Sequence, residues 1–188
     1  MDRALGFGLA IFAVLLVAPP VLDVLGAGYL TGLLIKAMLL AIAAISLDLL
    51  IGHGGMVSLG HAAFVAVGAY AAAIALESGI ENILVLLAIT IAVTAVVATI
   101  TGALALRTTG VYFLMITLAF GQMIFFTLSS LAAYGGDDGL TLWSLATLFG
   151  SDIVQNSGGL YFVVLATMFA AWWGVYRMSQ SRFGRVLR

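Results

Sequence analysis

Six long apolar runs follow one another along this chain, and nothing else in it restricts the fold so severely. They extend over approximately Gly6–Val24, Leu30–Ile51, Met56–Leu76, Ile83–Leu106, Val111–Ala133 and Leu160–Met178. The hydrocarbon layer of a bilayer, about 30 Å thick, takes roughly 20 helical residues to cross. Each run therefore predicts one membrane-spanning helix. Strands of a membrane barrel would alternate polar and apolar residues over about ten positions, and these runs are longer and continuous. The predicted fold class is all-α: a polytopic transmembrane helix bundle of about six spans, forming one domain over residues 1–188. Composition leaves little else open. With 64% hydrophobic and 8% charged residues, the chain has too few polar groups to cover a water-facing globule.

The net charge of -1 and the lack of a long basic run speak against a nucleic-acid partner. The sequence holds no cysteine, which excludes disulfides and thiolate metal sites. The first run is not a typical signal peptide, since its leading MDR is short and no small-x-small cleavage site follows. It is predicted as a retained helix, kinked or restarted at Pro19 and Pro20.

Cations set the orientation. With both termini cytoplasmic, Arg3, Arg107, Arg177, Arg182, Arg185 and Arg188 fall inside, while Glu77, Glu81, Asp137, Asp138 and Asp152 fall outside. Apart from Arg177 at the inner edge of the last run, Lys36 is the one cation within a span, near the outer end, where its stem can snorkel to the interface. Residues 134–159 are then an external loop. Leu140–Phe149 within it has two readings, a solvated loop or a short amphipathic helix around Trp143 at the outer interface, and docking of an external partner is its functional alternative.

The stretch GHGGMVSLGHAAFVAVGAY, from Gly52 to Tyr70, breaks the apolar monotony. Gly52, Gly54 and Gly55 leave helical conformation at little steric cost, so the turn into the third span is tight or the helix is discontinuous. Ser58, Ala62 and Ala66 recur every fourth residue, as do Gly68 and Ala72, and such rows of small residues let two helices approach closely. Packing alone would account for the glycines and alanines. Ser58 and His61 are three apart, so one helix face would carry both. They suggest a polar lining near the cytoplasmic mouth. A serine hydrolase would need a third member and oxyanion donors that the sequence does not supply, and His53 lies eight residues from His61 with no carboxylate pair nearby for a metal.

Asp48, about one turn from the inner end of the second span, is too costly to face lipid when ionised. Either the glycine-rich backbone or His53 satisfies it, or it lines or gates a path. Thr90, Thr94 and Thr101 share a face of the fourth span, and Thr117, Gly121 and Gln122 lie on the fifth. Helix-to-helix hydrogen bonding explains most of these; Gln122 is the best lining candidate among them. The tail RMSQSRFGRVLR serves by itself as a positive-inside anchor on anionic lipid.

GHGGMVSLGHAAFVAVGAYAAAIAL, RTTGVYFLMITLAFGQMIFF, the external GGDDGL and SRFGRVLR together resemble, in consistent order from about Leu33 to Arg188, the permease subunit of branched-chain amino acid ABC importers of the LivM type. The resemblance implies a multi-pass subunit of the bacterial inner membrane. Its partners would be a sister permease, two cytoplasmic ATPases, a periplasmic substrate-binding protein and the lipid bilayer. No covalent chemistry and no cofactor would belong to this chain, and ATP would be used by the partner subunits. Ser58, Gly60 and His61 would sit in a broken helix beside the translocation path, and residues 179–188, with Arg182, Phe183, Gly184 and Arg185, would open the segment that docks into the ATPase. Family members continue into further spans beyond this point, whereas this sequence stops at Arg188. A copy lacking its C-terminal portion is therefore expected. The alternatives are a permease for another small polar solute such as urea, a stand-alone channel or secondary carrier, a membrane scaffold, and an inactive truncated fragment.

Overall fold

A computed structural model describes residues 2–24, 26–131, 134, 136, 146–147 and 157–181. Its helices are α1 (Asp2–Val24), α2 (Tyr29–Asp48), α3 (His61–Glu77), α4 (Ile83–Ala105), α5 (Val111–Ser129) and α6 (Ser157–Gln180), with a π turn at Leu49–His53 after α2. No strand occurs among the described residues. The six helices match the six apolar runs. Tyr29–Gly52, Ile83–Ala105, Val111–Ser129 and Gly158–Gln180 are long and apolar enough to cross a membrane, and Gly8–Leu22 and His61–Glu77 are shorter apolar helices. The chain is a multi-pass membrane protein.

Contacts divide it into two compact units, one of Met1–Ser46 with Ile153–Arg188 and one of Leu47–Asp152. The first holds α1, most of α2, and α6. Its core is Phe12, Ile35, Met38, Tyr161, Val164, Leu165 and Met168. Phe12 meets Phe169 edge-on at 5.1 Å between ring centroids. In lipid such shape matching replaces water exclusion as the source of helix association.

Of the two expectations for α1 at its prolines, a kink or a restart, the restart does not occur: Pro19 and Pro20 lie inside one helix. The reason is a hydrogen bond from elsewhere. Pro19 has no N–H to give the carbonyl four residues earlier, that of Leu15, and within a membrane this acceptor finds no water. The hydroxyl of Tyr161, a residue with no exposed surface, donates to the Leu15 oxygen at 2.6 Å. A neighbouring helix thus supplies the bond that Pro19 deletes.

In the second unit α3 packs along α4. A Cβ on Gly68 would stand 3.3 Å from Thr90 Cγ2 and 3.5 Å from Thr94 Oγ1, so the glycine sets how close the two helices come. The N-terminus of α4 is capped twice. The Asn82 side chain accepts from the Leu84 N–H at 3.0 Å, and the Thr147 carbonyl accepts from the Ile83 N–H at 3.1 Å. The Thr147 N–H in turn donates to the Glu81 oxygen at 2.8 Å, which makes a short parallel bridge. Ala146 beside it rests on Ala75, Leu76 and Leu86. At these two loop residues the chain is therefore extended and not an amphipathic helix; the rest of Leu140–Phe149 lies outside the described residues.

Candidate functional site

The site grows from the way α2 ends. Its last turn widens into the π turn, and the chain closes it with bonds from Gly55 N–H to Ile51 O at 3.1 Å and Met56 N–H to Leu50 O at 3.4 Å. Such turns cost hydrogen-bond geometry and gather at functional positions. Gly52 lies inside this turn and Gly54 keeps helical angles, φ -85 and ψ -13. Of the three glycines, Gly55 alone takes a left-handed conformation, φ 61, which a side chain would resist. Residues 55–60 then run without helix until His61 opens α3. The break thus falls at Gly55–Gly60, after most of the glycines that suggested it.

This placement changes the relation of Ser58 to His61. Ser58 precedes the helix, so the two do not share a helix face. Among the described residues no hydrogen bond joins them, yet both line one cavity.

The non-helical stretch is pressed onto α5. A Cβ added to Gly60, which is buried, would collide with the backbone carbonyl of Thr117, and one added to Gly121 would come 3.3 Å from Gly60 Cα. Two glycines therefore allow backbone to touch backbone. At the same crossing the Leu59 N–H donates to Thr117 Oγ1 at 3.3 Å. That hydroxyl commits its own proton to the Leu114 carbonyl at 3.0 Å, leaving a lone pair for Leu59.

A cavity lies on each side of the crossing. The first, about 330 Å³, is bounded by the broken stretch, α3, α4 and α5, and includes Ser58, His61, Phe64, Thr101, Phe113 and Phe120. The second, about 500 Å³, includes Ala62, Ala66, Tyr70, Gln122, Leu128 and Ser129. Both touch Gly60, Gly121 and Ile124. Along α5 the first reaches from Phe113 to Ile124 and the second from Leu118 to Ser129, so they are offset along the helix axis and meet at the glycine contact.

The remaining sequence candidates sort themselves around this geometry. Gln122 borders the second cavity. Gly68 belongs to the α3–α4 contact. Asp48 is exposed and lines neither cavity; its carboxylate lies over Gly52, with Oδ1 3.5 Å from where a Cβ would be, and makes no side-chain capping bond to the turn that follows. Among the described residues no bond from the glycine-rich backbone reaches it, and the side chain of His53, its other expected partner, lies outside them. Arg182, Phe183, Gly184 and Arg185, the acidic pair Asp137 and Asp138, and the side chain of His53 lie outside the described residues. No group of three His, Asp or Glu able to hold a metal occurs among the described residues. Thr117 and Gly121, which looked like helix glue in the sequence, are the two that clamp the broken stretch. Their spacing of four on α5 was the available signal.

These features define a class: a multi-pass helical membrane protein with a discontinuous element between two cavities in its apolar interior. A family model described as branched-chain amino acid transport system, permease component, matches residues 29–188. The chain belongs to that family, and α1 lies wholly ahead of the match. No curated protein and no solved structure matches it.

Proposed function

We propose that the chain forms part of the translocation path of an ATP-driven importer of the LivM type for branched-chain amino acids, in the bacterial inner membrane. The observation that carries this reading is the pair of cavities meeting at the Gly60–Gly121 contact in a chain of a permease family. Cavities of several hundred Å³ are the usual size for small-molecule sites. Their lining is mostly aliphatic and aromatic, which suits a branched side chain. Beyond the N–H groups of Gly55, Met56 and Leu59 and the Gly60 carbonyl, which are bonded within the protein, the backbone groups of the unwound residues 55–60 are the natural partners of an ammonium and a carboxylate inside a membrane.

The chain itself performs no covalent step on this reading. A sister permease completes the path, a periplasmic protein delivers solute, and two cytoplasmic ATPases bind and hydrolyse ATP. The segment opening at Arg182 and Arg185 couples them to the helices. ATP acts by favouring one of two conformations through contacts that differ between them. Uptake measures the proposal. Vesicles from cells lacking this gene should lose ATP-dependent uptake of radiolabelled leucine, isoleucine and valine. The parent chain should restore it, and Ser58→Trp, which fills the first cavity, should not. Unchanged leucine uptake with loss of urea uptake would move the substrate to urea; uptake indifferent to ATP would indicate a channel or carrier.

A further inference from the structure

Hydroxyls are common in this chain, but most of them serve their own helix. Those of Thr99, Thr101, Thr108, Thr127, Ser129 and Ser130 all bond to a carbonyl three or four residues back. Such back-bonding satisfies the proton and ties nothing together. Thr117 differs. Its hydroxyl also accepts the Leu59 N–H, 58 positions away in sequence. Among the described residues of Leu47–Asp152 this is the one side-chain hydrogen bond between distant parts of the chain, and it falls where the two cavities meet.

We infer that the Thr117 hydroxyl is a latch: it holds the non-helical segment 55–60 against α5, so that Gly60 and Gly121 form a closed partition between the two cavities, and its release joins them. The inference rests on the cavities being one solute path. Three features support it. The contact is made of backbone, with no side chain to rotate aside, so opening it requires the segment to move as a whole. The segment is joined to α2 by a π turn and a left-handed glycine, both of which can change angles without unfolding a regular helix. The tie is a single hydrogen bond of 3.3 Å, and one such bond between helices contributes little enough for the segment to be released without disrupting the fold. Thr117 is a positioning residue here; it acts on the path through the Leu59 backbone.

The absence of native cysteine makes the test direct. Ser58→Cys reports the first cavity and Ala66→Cys the second. Sealed vesicles bearing the full chain receive a membrane-impermeant maleimide on one face at a time, without solute or nucleotide. In the parent background each cysteine should label from one face, and the two faces should be opposite. Thr117→Val keeps the shape and deletes the acceptor. It should let Ser58→Cys react from the Ala66→Cys face about fivefold faster, the equivalent of ~1 kcal/mol for one interhelical hydrogen bond in a membrane. Thr117→Ser retains the hydroxyl and should behave as the parent. Gly121→Ala, which leaves the hydroxyl and pushes on Gly60, should open the partition as Thr117→Val does. It decides the matter if the valine variant fails to accumulate. Unaltered face selectivity in Thr117→Val or, failing that, in Gly121→Ala overturns the latch, as does a serine variant that opens like valine. If neither cysteine labels from either face in the parent, the path itself is wrong and the latch falls with it.

Discussion

Replacing Gly60 by alanine adds one methyl group at a place where the structure leaves no room for it. The backbone angles, φ -92 and ψ 3, are open to any residue, so no conformational penalty arises. The whole cost is contact: the new Cβ would overlap the Thr117 carbonyl, which belongs to a helix and cannot rotate away. Overpacking of this kind costs about 1–3 kcal/mol, a factor of about 5 to 160 in equilibrium constant. Two neighbouring glycines isolate the cause. A Cβ on Gly54 would meet the flexible end of Met56 at 3.2 Å, so Gly54→Ala should be close to neutral. Gly55 has open space around it but a φ of 61, so Gly55→Ala should cost about 1–2 kcal/mol through its backbone alone. Asparagine separates the two mechanisms, because it tolerates left-handed angles and is larger than alanine. It should be milder than alanine at position 55 and at least as harmful at position 60. Heating detergent-purified protein and measuring the monodisperse fraction gives the apparent melting temperature, which falls about 2–4 °C per kcal/mol for chains of this size. Gly60→Ala melting with the parent while Gly55→Ala does not would show that the segment is not pressed onto α5.

Two further outcomes are expected. Tyr161→Phe removes the hydroxyl that satisfies Leu15 ahead of Pro19, leaving a buried carbonyl unpaired at a cost of about 1–3 kcal/mol; a melting temperature equal to the parent's would mean that the proline gap is filled in some other way. For the orientation, cysteines at Glu81 and Arg107, both exposed, should react with an impermeant thiol reagent in intact cells at position 81 and not at 107, and the reverse pattern would invert the topology.

The six helices were legible because each run is long and continuously apolar, and four of them keep a length that matches the bilayer, a property of composition along the chain that needs no partner. The break was legible only in outline. Glycines at 52, 54 and 55 announced it, yet Gly52 and Gly54 remain helical, because a glycine permits a bend without requiring one and the choice among neighbours is made by what the chain packs against. Ser58 and His61 carried a face-sharing argument that held only if α3 began early; α3 begins at His61. Thr117 and Gly121 could not be told from ordinary packing residues, since their importance lies in facing a segment some 58 positions away.

Sequence alone determined that this chain lives in a membrane as a helical bundle, since a surface so poor in charge has no stable alternative in water, and a family match over residues 29–188 established its family. Where the helix opens, which hydroxyl reaches across to hold it, and which group replaces the bond that Pro19 removes from the first helix were decided by tertiary structure. The physical reason is common to all three. Inside a bilayer every exposed N–H and carbonyl must find a protein partner, and which partner is within reach depends on how helices distant in sequence lie against one another.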